Sequence, residues 1–368
     1  MNIGLCGFGV VGRGVYEVVR QRPDMKVKKI LCLEDIQLPD AQTVKDFSEI
    51  LNDPEIDTVV EAMGGLHPSY DFARAALEAG KNVVSSNKAM VCTFYDQLVP
   101  LAMHKGVSLR CTAAVGGGIG WLSELERARR VQTINQVGGI MNGTCNYILD
   151  NMTRLGLGYD EALKQAQKLG YAEANPATDV DGIDTWHKVI LSANVAFGIS
   201  LDKTTVPVSG IRNISAADVD CFKAHGKVCK LISCAQRTED GFSAYVQPTL
   251  VDAGSPEGAV PLNYNLITFI GQTSERMSFY GQGAGRYPTA YNVVQDLVDV
   301  TQGKSFYAPY GAPQAADNQE AHRYYVRGNW ESSIQEDWST GVITTPVPVS
   351  QMHKWLQAHP QAFIARVD

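Results

Sequence analysis

Met1-Asn2-Ile3-Gly4-Leu5-Cys6-Gly7-Phe8-Gly9-Val10-Val11-Gly12-Arg13-Gly14 opens the chain. Met1 to Cys6 reads as a short apolar strand, a G-x-G-x-x-G run follows at once, and Val11, Val15, Val18 and Val19 then recur at helical spacing. In this strand, turn and helix setting, the first glycine allows the tight turn. The second lets backbone approach a pyrophosphate, and the third lets helix and strand pack closely. The first amides of the helix would then hold the phosphates. Gly7, Phe8, Gly9, Val10, Val11 and Gly12 are therefore expected to bind a dinucleotide, against the plainer reading of a glycine-rich turn with no ligand.

A second strand, Val27 to Leu33, ends at Glu34-Asp35. An acidic residue here accepts hydrogen bonds from the adenine ribose of NAD and repels the 2′-phosphate of NADP, so Glu34 points to NAD. No Arg lies between Arg22 and Arg74 to neutralise such a phosphate, although Lys26, Lys28, Lys29 and Lys45 leave NADP open. A helix is expected at about 43–51, then the strand Thr58–Ala62 running into Met63-Gly64-Gly65. The rhythm continues with a helix at Ser69–Ala79, the strand Asn82–Ser86 ending at Asn87-Lys88, a helix near Phe94–Lys105 and the strand Val107–Cys111. This alternation predicts an α/β fold, a doubly wound parallel sheet of Rossmann type, with ligands beyond the carboxyl ends of its strands. Gly64, Ser86, Asn87 and Lys88 fall on that edge; alone, Lys88 would read as a solvated turn lysine.

From Ala113 to Gly120 the chain turns glycine-dense, and the rhythm is lost from about 133 to 282, where a mixed α+β catalytic and dimerisation domain is expected. The cofactor domain then comprises 1–132 with 283–315, because Pro288 to Val300 has an amphipathic helical pattern with Pro suited to the first turn. Residues 316–368 form a C-terminal tail holding Trp330, Trp338 and Trp355 of the chain's five tryptophans. Disordered tails are poor in aromatics, so this one should dock, with Pro346-Val347-Pro348-Val349 as an extended connector and Ser350–Ala358 as a closing helix capped by Ser350.

Charge concentrates within Gly170–Lys188. Ile183, Trp186, Val189, Ile190, Ala193 and Phe197 mark one side of a helix, which sets Asp184 and Lys188 one turn apart. An isolated surface pair of this kind contributes only about 0.3–0.5 kcal/mol. Here Glu173 and Asp179 precede it in a Gly/Pro-containing loop, so several polar groups can converge on a small polar ligand.

Composition narrows the class. The 368 residues are 45% hydrophobic, carry 32 Lys+Arg against 39 Asp+Glu and have no long basic run. Nucleic-acid and membrane partners are thus not expected. The first strand begins without a charged leader, and the eight scattered cysteines form no C-x-x-C pair, so a cytoplasmic protein with reduced thiols is expected.

Six ordered blocks over roughly residues 2–305 resemble homoserine dehydrogenases: Gly7–Gly12, Val59–Gly65, Gly80–Lys88, Met141–Leu149, Gly170–Lys188, and Gly283-Ala284-Gly285 with Pro288-Thr289-Ala290. The resemblance implies interconversion of L-aspartate 4-semialdehyde and L-homoserine with NAD or NADP, by a homodimer joined through the second domain. It also places a catalytic lysine at Lys188 and a second active-site lysine at Lys88. Substrate positions fall on Glu173, Asp179, Asp184 and the backbone of Gly170, and a contact near the nicotinamide on Gly283. Reducing an aldehyde by hydride needs a proton on the developing alkoxide, which an ammonium can stabilise and supply. Two lysines facing one pocket would lower each other's pKa.

The family also binds a monovalent cation such as sodium through backbone carbonyls matching Val115, Gly117 and Ile119. This chain departs there, with Thr112 where the family commonly has Glu. Gly120 and Gln282 replace familiar prolines, and the Arg after the second strand gives way to Glu34-Asp35. The segment beyond Tyr324-Tyr325-Val326-Arg327 is too short for the ACT regulatory domain that many members append. Two alternatives stand beside homoserine dehydrogenase: a dehydrogenase of another small amino alcohol or hydroxy acid, and a dinucleotide sensor without catalysis. Retention of Lys88, Asp184 and Lys188 argues against the sensor.

Overall fold

The computed structural model describes residues 1–303 and 311–368 and divides the chain into two units. Met1–Val131, Gly198–Ser200 and Gln282–Ala312 form the first, and Gln132–Phe197, Leu201–Gly281 and Pro313–Asp368 the second. Of the expected 283–315 segment, residues 304–310 lie outside the described ones.

In the first unit, β1 (Asn2–Cys6), α1 (Val10–Val19), β2 (Lys26–Leu31), β3 (Gln42–Val44), α2 (Ser48–Leu51), β4 (Thr58–Glu61), α3 (Ser69–Glu78), β5 (Asn82–Ser85), α4 (Lys88–Thr93), α5 (Tyr95–Lys105), β6 (Leu109–Arg110) and α6 (Trp121–Ala128) follow one another. The sheet runs β3-β2-β1-β4-β5-β6, parallel in every pairing, so the strand order reverses between β1 and β4, where a doubly wound sheet opens its ligand crevice. Ile3, Leu5, Ile30, Val60 and Val84 are buried beneath Val15 and Val19 of α1.

One expectation along this stretch is corrected, and one helix appears that the sequence pattern did not announce. Residues 43–51 form no single helix: Gln42–Val44 pairs with Lys29–Leu31 as an edge strand, and α2 begins only at Ser48, whose amide donates to Asp46 Oδ1 at 2.7 Å. The strand end at Asn87-Lys88 leads directly into that helix, α4. Asn87 caps α4, accepting the Met90 amide at 3.1 Å, which places Lys88 in the first helical turn.

The second unit contains β7 (Ile134–Ile140), α7 (Gly143–Leu155), α8 (Tyr159–Lys168), α9 (Ala177–Val180), α10 (Ile183–Phe197), β8 (Ser200–Leu201), α11 (Ala216–Ala224), β9 (Lys227–Arg237), β10 (Phe242–Asp252), β11 (Tyr264–Gly271) and β12 (Glu275–Gln282). The chain then re-enters the first unit as α12 (Arg286–Thr301), where Ala290, Val293, Val294 and Leu297 join the core around α1. After it come β13 (Pro313–Gln314), β14 (Ala321–His322), β15 (Tyr324–Arg327), β16 (Ile334–Trp338), β17 (Gly341–Thr344), β18 (Val347–Pro348), α13 (Val349–Ala358) and β19 (Phe363–Val367).

The expected tail is thus an integral part of a nine-stranded sheet of order β12-β11-β7-β9-β10-β19-β15-β17-β16. Its β19 runs parallel to β10 and antiparallel to β15. Tyr324, Val326, Trp330, Met352 and Ile364 make a small core, with the Trp330 and Trp355 rings edge to face at 5.2 Å. The closing helix begins at Val349 after Pro348, and no side chain caps it, contrary to the expected Ser350 cap. Proline there supplies the entry geometry without a donor.

Candidate active site

At the glycine-rich turn the three glycines are distinguished by what surrounds them. Gly7 has φ +95°, and a Cβ on Gly12 would stand 2.1 Å from the Gly7 carbonyl, so helix α1 approaches β1 as only glycine permits. A Cβ on Gly9 would meet nothing within 4 Å, which leaves room beside the helix N-terminus for a pyrophosphate.

The neighbouring strand ends are tightly organised. Glu61 at the end of β4 is fully buried, accepting Ser85 Oγ at 2.6 Å and the Met63 amide at 2.8 Å, and burial pushes its pKa up. Asn87 donates to the Gly65 carbonyl at 2.7 Å. Gly64, Ser86 and Lys88 therefore share a rigid edge at β4 and β5, with Ser86 and Lys88 half-buried.

Glu34 stands where a ribose acceptor is expected, but it has a partner that the sequence alone did not reveal. Arg13, one residue beyond the third glycine, reaches Glu34 Oε2 at 3.1 Å, donates from Nε to the Phe8 carbonyl at 3.0 Å and lies over the Phe8 ring. A guanidinium was expected, if at all, only in the chain after β2, whereas this one comes from α1. Asp35 is engaged by Lys45 at 2.7 Å, which holds its carboxyl below the usual range.

The loop 112–120 begins with the 3₁₀ turn Thr112–Ala114. The Thr112 amide and hydroxyl donate to Asp296 at 2.7 and 2.6 Å, and the fully buried Arg110 donates to the same carboxylate at 3.0 Å. Of the three carbonyls matched to cation ligands, Gly117 O accepts the Asn292 side-chain amide and Ile119 O accepts the Trp121 amide at 2.7 Å. At Val115 it is the amide that is engaged, donating to the Thr112 carbonyl at 3.3 Å. With the Gly117 and Ile119 carbonyls already accepting protein hydrogens, the loop does not fit a carbonyl cage held open for an ion. Gly283 packs against the same loop: a Cβ on Gly117, at φ +50°, would lie 2.6 Å from the Gly283 carbonyl.

In the second unit the charged residues converge as their helical spacing foretold, but in a buried setting. Asp184 sits in the first turn of α10, where the helix dipole favours a carboxylate. One turn on, the Lys188 ammonium donates to Asp184 Oδ2 at 2.8 Å and to the Met141 carbonyl at 2.7 Å. Only 4% of Asp184 and 7% of Lys188 is exposed, so this is no surface pair.

Asn142 completes the cluster. Its amide nitrogen donates one hydrogen to Asp179 Oδ1 at 2.7 Å and the other to Asp184 Oδ2 at 2.8 Å, and its oxygen caps α7 by accepting the Cys145 amide at 2.8 Å. This residue was missed at the level of sequence; an Asn before Gly143 at the start of an apolar helical pattern was the available signal. Asp179, Asp184 and Lys188 are thus brought together. Glu173 and Gly170 lie instead on the exposed turn after α8, with the Glu173 carbonyl accepting from Gln167.

A dinucleotide fold and a buried ammonium paired with a carboxylate are the marks of a nicotinamide-dependent oxidoreductase. The homoserine dehydrogenase family profile matches residues 121–298, and the profile of the homoserine dehydrogenase NAD-binding domain matches residues 7–112. Homoserine dehydrogenase of Bacillus subtilis is 34% identical over 84% of this chain and 76% of its own length; that of Pseudomonas aeruginosa is 36% identical over 82% and 72%. The crystal structure of a homoserine dehydrogenase from Thiobacillus denitrificans superposes with a TM-score of 0.85 at 26% identity, covering 100% of this chain and 98% of that one. The chain belongs to the homoserine dehydrogenase family.

Among the described residues no helix is long and apolar enough to cross a membrane. All eight cysteines are buried thiols outside any disulfide.

Proposed function

We propose that this protein interconverts L-aspartate 4-semialdehyde and L-homoserine, with Lys188 as the general acid and base. A nicotinamide dinucleotide, held at the Gly7–Gly12 turn, would supply or receive the hydride for the carbon that is aldehyde in one substrate and alcohol in the other. Lys188 gives its proton to the developing alkoxide during reduction and takes it back during oxidation. Asp184 and the Met141 carbonyl fix the ammonium in one position, so little reorganisation is needed when charge develops. Lys88 is assigned as the second active-site lysine, Glu173 and Asp179 to the substrate's α-ammonium, and Gly170 and Gly283 to backbone contacts with substrate and cofactor.

The observation that carries this reading is the buried Asp184–Lys188 pair in a chain of this family. Neither a dehydrogenase for a different substrate nor a sensor accounts for it better. Assay of homoserine against related amino alcohols and hydroxy acids tests it; a higher kcat/KM with any of the others would overturn the substrate.

NAD(H) is the proposed preferred cofactor, because the Glu34 carboxylate favours ribose hydroxyls and repels a 2′-phosphate. Arg13 moderates that preference, since its guanidinium beside Glu34 is available to a phosphate and keeps NADP(H) usable. A higher kcat/KM with NADPH, or an unchanged cofactor ratio in Glu34→Ala/Asp35→Ala, would contradict this. The protein is further proposed to be a cytoplasmic homodimer. Its cysteine thiols, none in a disulfide, suit a reducing compartment, and β12 is a sheet edge open to pairing with a second copy. Analytical ultracentrifugation showing a monomer at working concentration would refute the dimer.

A further inference from the structure

We infer that Asn292 takes over in this protein the place of a monovalent cation at the loop 112–120, so that the enzyme neither binds nor needs sodium or potassium there. The inference rests on the cofactor role assigned to Gly283 above. A cation held by backbone carbonyls needs those oxygens turned towards it and no competing donor. Here the Asn292 amide, carried on α12 and only 2% exposed, donates to the Gly117 carbonyl. The Ile119 carbonyl is bonded within its own turn by Trp121.

Hydrogen bonding points the same way. Thr112 spends its hydroxyl and its amide on Asp296. Asp296 is fully buried and already paired with the Arg110 guanidinium, which also meets Asp299 at 2.7 Å. The Asn292 amide, a neutral donor, satisfies the Gly117 carbonyl without an ion.

The consequence reaches the cofactor. The Gly118 amide donates to the Gln282 carbonyl at 3.1 Å, and Gly117 leaves no space for a side chain against Gly283. Fixing the Gly117 carbonyl therefore fixes the 282–284 backbone. Asn292 is a positioning residue: it acts on the dinucleotide through this loop.

The test is NADH binding followed by fluorescence, with substrate absent, in choline, sodium and potassium chloride at equal ionic strength. The wild type should give the same Kd and the same melting temperature in all three salts. An ion that organised the loop would shift the Kd by about fivefold or more, in a saturable way, and that result would overturn the inference. Asn292→Asp replaces the donor with a carboxylate. It should bind NADH at least about fivefold more weakly in choline and recover in sodium, whereas wild-type affinity in choline would remove Asn292 from the role. If that variant does not fold, the wild-type salt comparison still decides. Loss of homoserine turnover with NADH binding intact would bear on the reaction alone.

Discussion

Replacing Lys188 by Ala is expected to abolish turnover while leaving NADH binding nearly unchanged. The ammonium donates to Asp184 Oδ2 at 2.8 Å and to the Met141 carbonyl at 2.7 Å, and both partners of the ion pair are almost wholly buried. Removing a positioned proton donor should lower kcat by about 10²–10⁴. Removing one partner of a buried pair should also cost about 3–5 kcal/mol of stability, because a buried carboxylate loses its countercharge. The two effects can be separated. In Asp184→Leu/Lys188→Met both charges go, so stability should return to within about 1–2 kcal/mol of wild type while turnover stays absent. Urea melts give the stabilities, and NADH absorbance with homoserine and NAD gives the rates. The reasoning fails if Lys188→Ala keeps more than about a tenth of the wild-type kcat, or if the double variant regains activity with its stability.

Asn142→Ala should raise the KM for homoserine more than it lowers kcat and should cost about 1–2 kcal/mol of stability, since the residue both bridges the two carboxylates and caps α7; equal kinetic constants in variant and wild type would refute the bridging role. Burial pushes the pKa of His353 down to about 4 from an ordinary 6.5. The unfolded chain therefore takes up a proton as pH falls through 6.5, and the native fold only near 4, so stability is lost across that window. His353→Gln should flatten this acid limb by up to about 3 kcal/mol in denaturant titrations, and an identical acid limb would count against it. Limited proteolysis of the native protein should leave residues 313–368 intact, because β19 and β15 are sheet strands with Tyr324, Tyr325 and Val326 fully buried. Rapid cutting after Arg327 with activity preserved would contradict that.

What could be read from the sequence was what local pattern determines. The turn at Gly7–Gly12 and the helix Ile183–Phe197 were legible because glycine geometry and helical period leave their mark within a few residues. Strands made by distant pairing were not. Gln42–Val44 is a strand only because β2 lies beside it, and the strands after Ala321 carry many exposed polar side chains, as in Ile334–Trp338, so no alternation announced them. The site shows the same division. One helical turn predicted the contact between Asp184 and Lys188. The Asn142 bridge, the Arg13–Glu34 contact and the Asn292 bond to Gly117 join residues whose meeting depends on the whole fold.

Because α12 packs against α1, the dinucleotide-binding core cannot close until synthesis has passed β12 and most of the second unit. Roughly 270 residues separate the two helices, which at about 5–20 residues per second leaves the α12-facing side of α1 uncovered for about 15–55 s. During that interval the six strands are already made, but the side of α1 around Gly14, which Arg286 and Ala290 later cover, stays open to water. The order of manufacture thus makes this half of the enzyme a natural client for chaperones that shield apolar surface, and a truncation before residue 286 should yield aggregate in place of a free-standing dinucleotide-binding domain.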